Sequence, residues 1–122
     1  MRYDETAVGL ELPAVGFYHH YKHDPEGPVN EYAYYVFNVG HHTEEDCRQI
    51  DKFTVQYLPL YDSYVYWLGK GRISDSRPLS MFMSSVEKDG ATRSRFTRIL
   101  DPNVIEKLKA QGRAMYPDRP FF

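Results

Sequence analysis

Five histidines fall into two groups, His19, His20 and His23 in one and His41 and His42 in the other. Glu44 follows His42 by two positions. An imidazole beside a carboxylate can exchange protons near neutral pH. The pair His42 and Glu44 would therefore suit a small hydrolase or a nucleotide-processing enzyme. No partner nucleophile is evident, however, and a local reading accounts for the same residues: His42 ends a strand, Thr43 caps a turn and Glu44 accepts backbone hydrogen bonds. The non-enzymatic reading is preferred, with His42 and Glu44 kept as candidate binding contacts. A metal site would join His20 or His42 with Glu44. Zinc needs three or four ligands in tetrahedral array, the H-E-x-x-H arrangement is absent, and adjacent histidines on a strand face opposite ways. No metal and no other cofactor is expected.

The cationic groups carry a second kind of chemistry. Arg77 precedes Pro78, which holds it extended, and its planar fork could meet a carboxylate or a phosphate. The competing reading is a salt bridge to an acid such as Glu44 or Asp62. Lys70-Gly71-Arg72 lacks the spacing of a phosphate-binding Walker loop and reads as a solvated hairpin tip. Arg93, Arg95 and Arg98 form a modest basic stretch, with Arg93 and Arg95 on one face of a strand. Cys47 is the only cysteine, so disulfides and Cys-rich zinc sites are excluded. The acids Glu44, Glu45 and Asp46 beside it disfavour a reactive thiolate.

The chain that must position these groups has 122 residues, enough for one domain with its own core. Hydrophobic residues make up 42% and the formal net charge is -2, which excludes disorder. This balance gives no global attraction to nucleic acid, so nucleic acid is disfavoured as a partner, as is a membrane surface. No apolar run reaches membrane-spanning length. The N-terminus lacks the basic start and apolar stretch of a signal peptide, which makes the cytoplasm the expected compartment. Eleven tyrosines, seven phenylalanines and one tryptophan lie mostly in short β-like runs. Tyrosine packs with its ring while its hydroxyl reaches a rim.

Residues 1–15 read as an N-terminal arm, pinned by Leu10, Leu12 and Val15. The strands expected are 17–22, 31–42, 53–58 and 64–68, with a last one over 95–100. In the second, Tyr32, Tyr34 and Val36 share one face and Ala33, Tyr35, Phe37 and Val39 the other; Asn38 and Gly40 permit a bulge. Residues 61–64 read as a hairpin turn and 69–76 as a polar loop. Leu79, Phe82 and Val86 have helical spacing, Asp89-Gly90 is a turn, and Met81, Phe82, Val86 and Phe96 are core. Asp101-Pro102 starts a helix that Gly112 should stop, and the tail ends in Phe121-Phe122. The fold expected is mainly β, a small antiparallel β-barrel or roll over 16–100, with a C-terminal α-helix and tail over 101–122.

Several short runs resemble a known family. Gly16-Phe17-Tyr18-His19-His20-Tyr21-Lys22 is similar to G-x-Y-x-H-[FY]-K. Tyr34-Tyr35-Val36 with His42-Thr43-Glu44 resembles Y-x-V followed by H-[ST]-E. Val55-Gln56-Tyr57 with Leu60-Tyr61 is similar to V-x-Y-x-x-L-Y, and Arg77-Pro78-Leu79-Ser80-Met81-Phe82 to R-P-L-x-M-F. Val86, Asp89-Gly90 and Arg95-Phe96 complete the order. Over about residues 16–99 the chain resembles the bacterial domain of unknown function 1653 family. The resemblance implies an SH3-like small barrel and no established activity. The chain departs from the family's compact W-V-R-P: either residues 69–76 are inserted, or Trp67 is not the equivalent tryptophan.

These readings converge on a binding module. Its face would combine Tyr18, Tyr35, Tyr57 and Trp67 with polar groups of His20, His42, Glu44 and Arg77. The ligand expected is a peptide segment or a small anionic molecule such as a nucleotide. The alternatives are the small enzyme using His42 and Glu44, and an assembly adaptor docking through its arm or its Phe121-Phe122 tail.

Overall fold

The computed structural model describes residues 11–43 and 52–122. The strands are β1 (Gly16–His20), β2 (Ala33–His41), β3 (Phe53–Pro59), β4 (Asp75–Pro78), β5 (Ser85–Lys88), β6 (Ala91–Ser94) and β7 (Phe96–Arg98). The helices are α1 (Tyr64–Gly69), α2 (Leu79–Phe82) and α3 (Pro102–Met115). Five strands form one antiparallel sheet in the order β4-β3-β2-β1-β7, and β5 and β6 form a separate hairpin.

The sheet is an open roll, not a closed barrel, with β4 and β7 at its edges. In a flat sheet, four inter-strand steps would separate those edges by about 19 Å. Yet the guanidinium carbon of Arg77 on β4 lies 5.6 Å from the ring centre of Phe96 on β7. The sheet therefore curls until side chains from its two edges meet.

The 64–68 segment, expected as a strand, is helix α1. Ser63 caps it, its Oγ accepting from the Tyr66 amide at 3.3 Å, and Lys70 ends it in the left-handed region at φ 49°. These local caps override the β preference of Tyr-Val-Tyr-Trp. The expected polar loop in turn ends in the first two residues of β4, which pairs with β3 through Tyr57↔Asp75 and Val55↔Arg77.

Each face of the sheet carries a core. On the inner, curled face Tyr18, Tyr34, Val36, Val55, Tyr57 and Phe96 pack with Leu79 and Phe82 of α2. On the outer face Phe17, Ala33, Leu58 and Ile99 pack with Leu108 of α3 and with Tyr116. The register of β2 shifts between Val36 and Asn38. This bulge moves Val39 to the inner face, against the face expected from strict alternation.

Helix α3 begins as expected, with Asp101 Oδ1 accepting from the Asn103 amide at 2.9 Å and Pro102 in the first turn. It runs past Gly112 to Met115. Gly112 does not stop the helix. It leaves room for Phe122, since a Cβ there would sit 2.5 Å from the Phe122 ring. Phe121 and Phe122 pack on Tyr35, and Phe121 also stacks on Phe37. The tail is thus engaged within its own chain. Of the expected arm anchors, Leu12 and Val15 are exposed, and Leu10 lies outside the described residues. Among the described residues, no helix is long and apolar enough to cross a membrane.

Candidate functional site

Period-two geometry and the register fix which side chains share the inner face. On β1 these are Tyr18 and His20, on β3 Val55 and Tyr57, and on β4 Asp75 and Arg77, which stand opposite Tyr57 and Val55. Phe96 stands opposite His20. The α2 turn fills one part of this face, where Phe82 stacks on Phe96 at 4.2 Å. The remainder is lined by aromatic and polar groups.

Tyr34 and Tyr57 meet edge to face at 5.0 Å, and the Tyr34 and Tyr61 hydroxyls share a hydrogen bond of 2.6 Å. Burial raises both hydroxyls' pKa values above the usual tyrosine range. Tyr32 and His20 stack at 5.7 Å, and Tyr32 lies 5.8 Å from Tyr61. The backbone at Tyr32 is left-handed, with φ 55°. For a bulky side chain this is a strained conformation, which folds retain chiefly at functional positions.

Arg77 spends one donor on this cluster: its Nε donates to the Tyr57 hydroxyl at 3.2 Å. The guanidinium lies over Phe96. Its terminal nitrogens make no hydrogen bond or ion pair with the described residues. The salt bridge weighed from the sequence does not use Asp62, which instead accepts from the Trp67 indole.

His20 sits at the centre of a cationic set. Its Nδ1 accepts from the Lys22 amide at 3.2 Å, which places the neutral ring's proton on Nε2. Burial, then the positive charges of Arg77, Lys22, Arg95 and Lys88, lower its pKa to about 4. Two of those cations are held in place. Lys88 Nζ donates to the Tyr21 carbonyl at 2.9 Å, and Arg95 Nε donates to Ser84 Oγ at 3.0 Å. Asp75 is the acid near Arg77, two positions away on β4. Burial raises its carboxyl pKa against the opposing pull of Arg77.

Of the residues expected at a site, His20, Tyr57 and Arg77 come together here. Tyr18 shares the face, but its hydroxyl donates to the Ala14 carbonyl at 2.7 Å. Tyr35 points to the outer face and packs on Phe17 and the tail. Trp67 is exposed on α1, whose Tyr66 packs on the outer-face residue Tyr116. His42 is exposed just beyond the end of β2. Glu44, and Cys47 with it, lie outside the described residues. Tyr32, Tyr34, Tyr61 and Asp75 were missed. Tyr34 carried the one available signal, since it shares a strand face with Val36; Tyr32, expected on that face too, precedes β2 in a left-handed turn. The described residues contain no group of three or more metal-ligating side chains. Arg93 and Arg95 do not share a strand, because the chain bends at Arg95 between β6 and β7.

Residues 16–98 match the family model described as protein of unknown function (DUF1653), and the chain belongs to that family. No curated protein and no solved structure matches it.

Proposed function

We propose that this member of a family without an assigned activity is a binding module for a small anionic ligand, a phosphate or carboxylate compound such as a nucleotide. The observation that carries this reading is Arg77: a guanidinium seated on an aromatic ring, with its terminal nitrogens unspent among the described residues. A fork held in this way suits two parallel hydrogen bonds to a planar or tetrahedral anion. His20 adds a neutral N–H donor, and Lys22, Lys88 and Arg95 add positive potential. In a chain of net charge -2, four cations are near enough for His20 to feel their charge. Tyr32, beside His20, offers a ring against which a flat ligand can stack. Calorimetric titration with ethyl phosphate tests the reading. Saturable binding that Arg77→Gln removes supports it, and identical behaviour of the two proteins overturns it.

A further inference from the structure

We infer that the ligand of this site is bipolar, carrying a protonated amine close to its anionic group, with Arg77 taking the anion and Asp75 the amine. This rests on the anion-binding reading above and specifies the ligand class. Asp75 and Arg77 lie two positions apart on β4, so their side chains leave the same face. Their Cα atoms are therefore about 6–7 Å apart. Two opposite charges so placed would ordinarily pair. Here they make no ion pair within 4.0 Å, because Arg77 is turned to Tyr57 and Phe96.

The Asp75 backbone is part of the β3–β4 ladder, but its carboxylate makes no hydrogen bond with any described residue. It stands opposite Tyr57 in the register, and Tyr34, Tyr57 and Tyr61 are all close enough to feel its charge. A half-buried carboxylate in aromatic surroundings loses part of its hydration, and a charged donor would compensate that loss. Among the described residues no cation forms an ion pair with Asp75 within 4.0 Å. A ligand holding an ammonium two carbons from its anion would satisfy Asp75 and Arg77 together. The tyrosine rings beside Asp75 suit an alkylammonium, whose charge they attract.

The test is calorimetric titration of the full chain with three probes: ethyl phosphate, O-phosphoethanolamine and β-alanine. O-Phosphoethanolamine should bind about tenfold or more tightly than ethyl phosphate, the usual value of a charge-assisted hydrogen bond. β-Alanine shows whether a carboxylate replaces the phosphate. Asp75→Asn should erase the preference for the amine, while ethyl phosphate still binds and does so more tightly than to wild type, because a repelling carboxylate two positions from Arg77 is gone. A far-ultraviolet circular dichroism spectrum and cooperative unfolding show that the variant folds. Equal affinities of wild type for ethyl phosphate and O-phosphoethanolamine overturn the bipolar ligand and leave the anion site standing. If none of the three probes binds, both readings are overturned.

Discussion

Arg77 and Phe96 belong to opposite edges of one sheet, and yet the guanidinium carbon of the first lies 5.6 Å from the ring centre of the second. That contact is possible only because the sheet rolls. Rolling also gathers His20, Tyr57 and Asp75 around the same guanidinium. The curvature of the sheet and the composition of the site are thus one property.

Arg77→Gln should lower affinity for ethyl phosphate by about 10- to 100-fold, the worth of a charged hydrogen bond. Stability should fall by only about 1–2 kcal/mol, from the lost contacts to Tyr57 and Phe96. Titration and thermal unfolding of the same preparation separate these effects. A large stability loss with intact binding would make Arg77 structural.

Protonation of His20 should couple to both folding and binding. Its folded pKa, about 4, lies below the ordinary 6.5. The unfolded chain therefore takes up this proton first, so the His20 contribution to stability is complete above pH 6.5 and is lost as pH falls towards about 4. Asp75 has a raised pKa and contributes with the opposite sign. The quantity to measure is therefore the difference in melting temperature between wild type and His20→Gln across that window. The difference should turn against wild type on acidification, and a flat difference contradicts the assignment.

A bound anion favours the imidazolium, so sulfate, whose own charge is constant here, should bind more tightly as pH falls from 6.5 towards about 4. Calorimetry in buffers of different ionisation enthalpy should register proton uptake in wild type and none in His20→Gln. Uptake that persists in the variant assigns the proton to another group.

Tyr32→Asn should separate stability from function. Asparagine tolerates the left-handed backbone that Tyr32 adopts at φ 55°. Stability should be unchanged or up to about 1 kcal/mol higher, while affinity for a nucleotide such as ADP falls through loss of the stacking ring. Unaltered ADP affinity would remove Tyr32 from the site.

On the outer face, the Tyr116 hydroxyl donates to the Pro59 carbonyl at 2.5 Å in a buried setting. Tyr116→Phe leaves that carbonyl unmet and should cost about 1–3 kcal/mol by denaturant unfolding. Anion binding on the other face should persist in this variant.

Much of this arrangement was legible in the chain. The alternation of Tyr34 and Val36 against Tyr35 and Phe37 fitted a strand covered on both sides or one with a face of exposed tyrosines, and the structure gives it one core per face. Asn38 and Gly40 signalled the bulge that carries Val39 across. Two segments misled for physical reasons. Tyr64–Gly69 has strand-like residues but takes its conformation from the Ser63 cap and the left-handed Lys70. Asp75 and Ser76 have the composition of a loop and become a strand only by pairing with β3, a long-range contact that local pattern does not encode. Arg77 could therefore be singled out as a candidate contact for an anion or an acid, whereas Asp75 beside it could not. Trp67 and Tyr35 belong to the same aromatic inventory as Tyr57, and only the fold places them away from the inner face.

The central claim is that an anion is received between His20 and Arg77. The most direct measurement is a nitrogen-detected NMR titration with ethyl phosphate, following the imidazole of His20 and the side-chain Nε–H of Arg77. Saturable shifts at both side chains, with one dissociation constant and their loss at His20 in Arg77→Gln, are the predicted result. Shifts confined to other residues, or none at all, would contradict it.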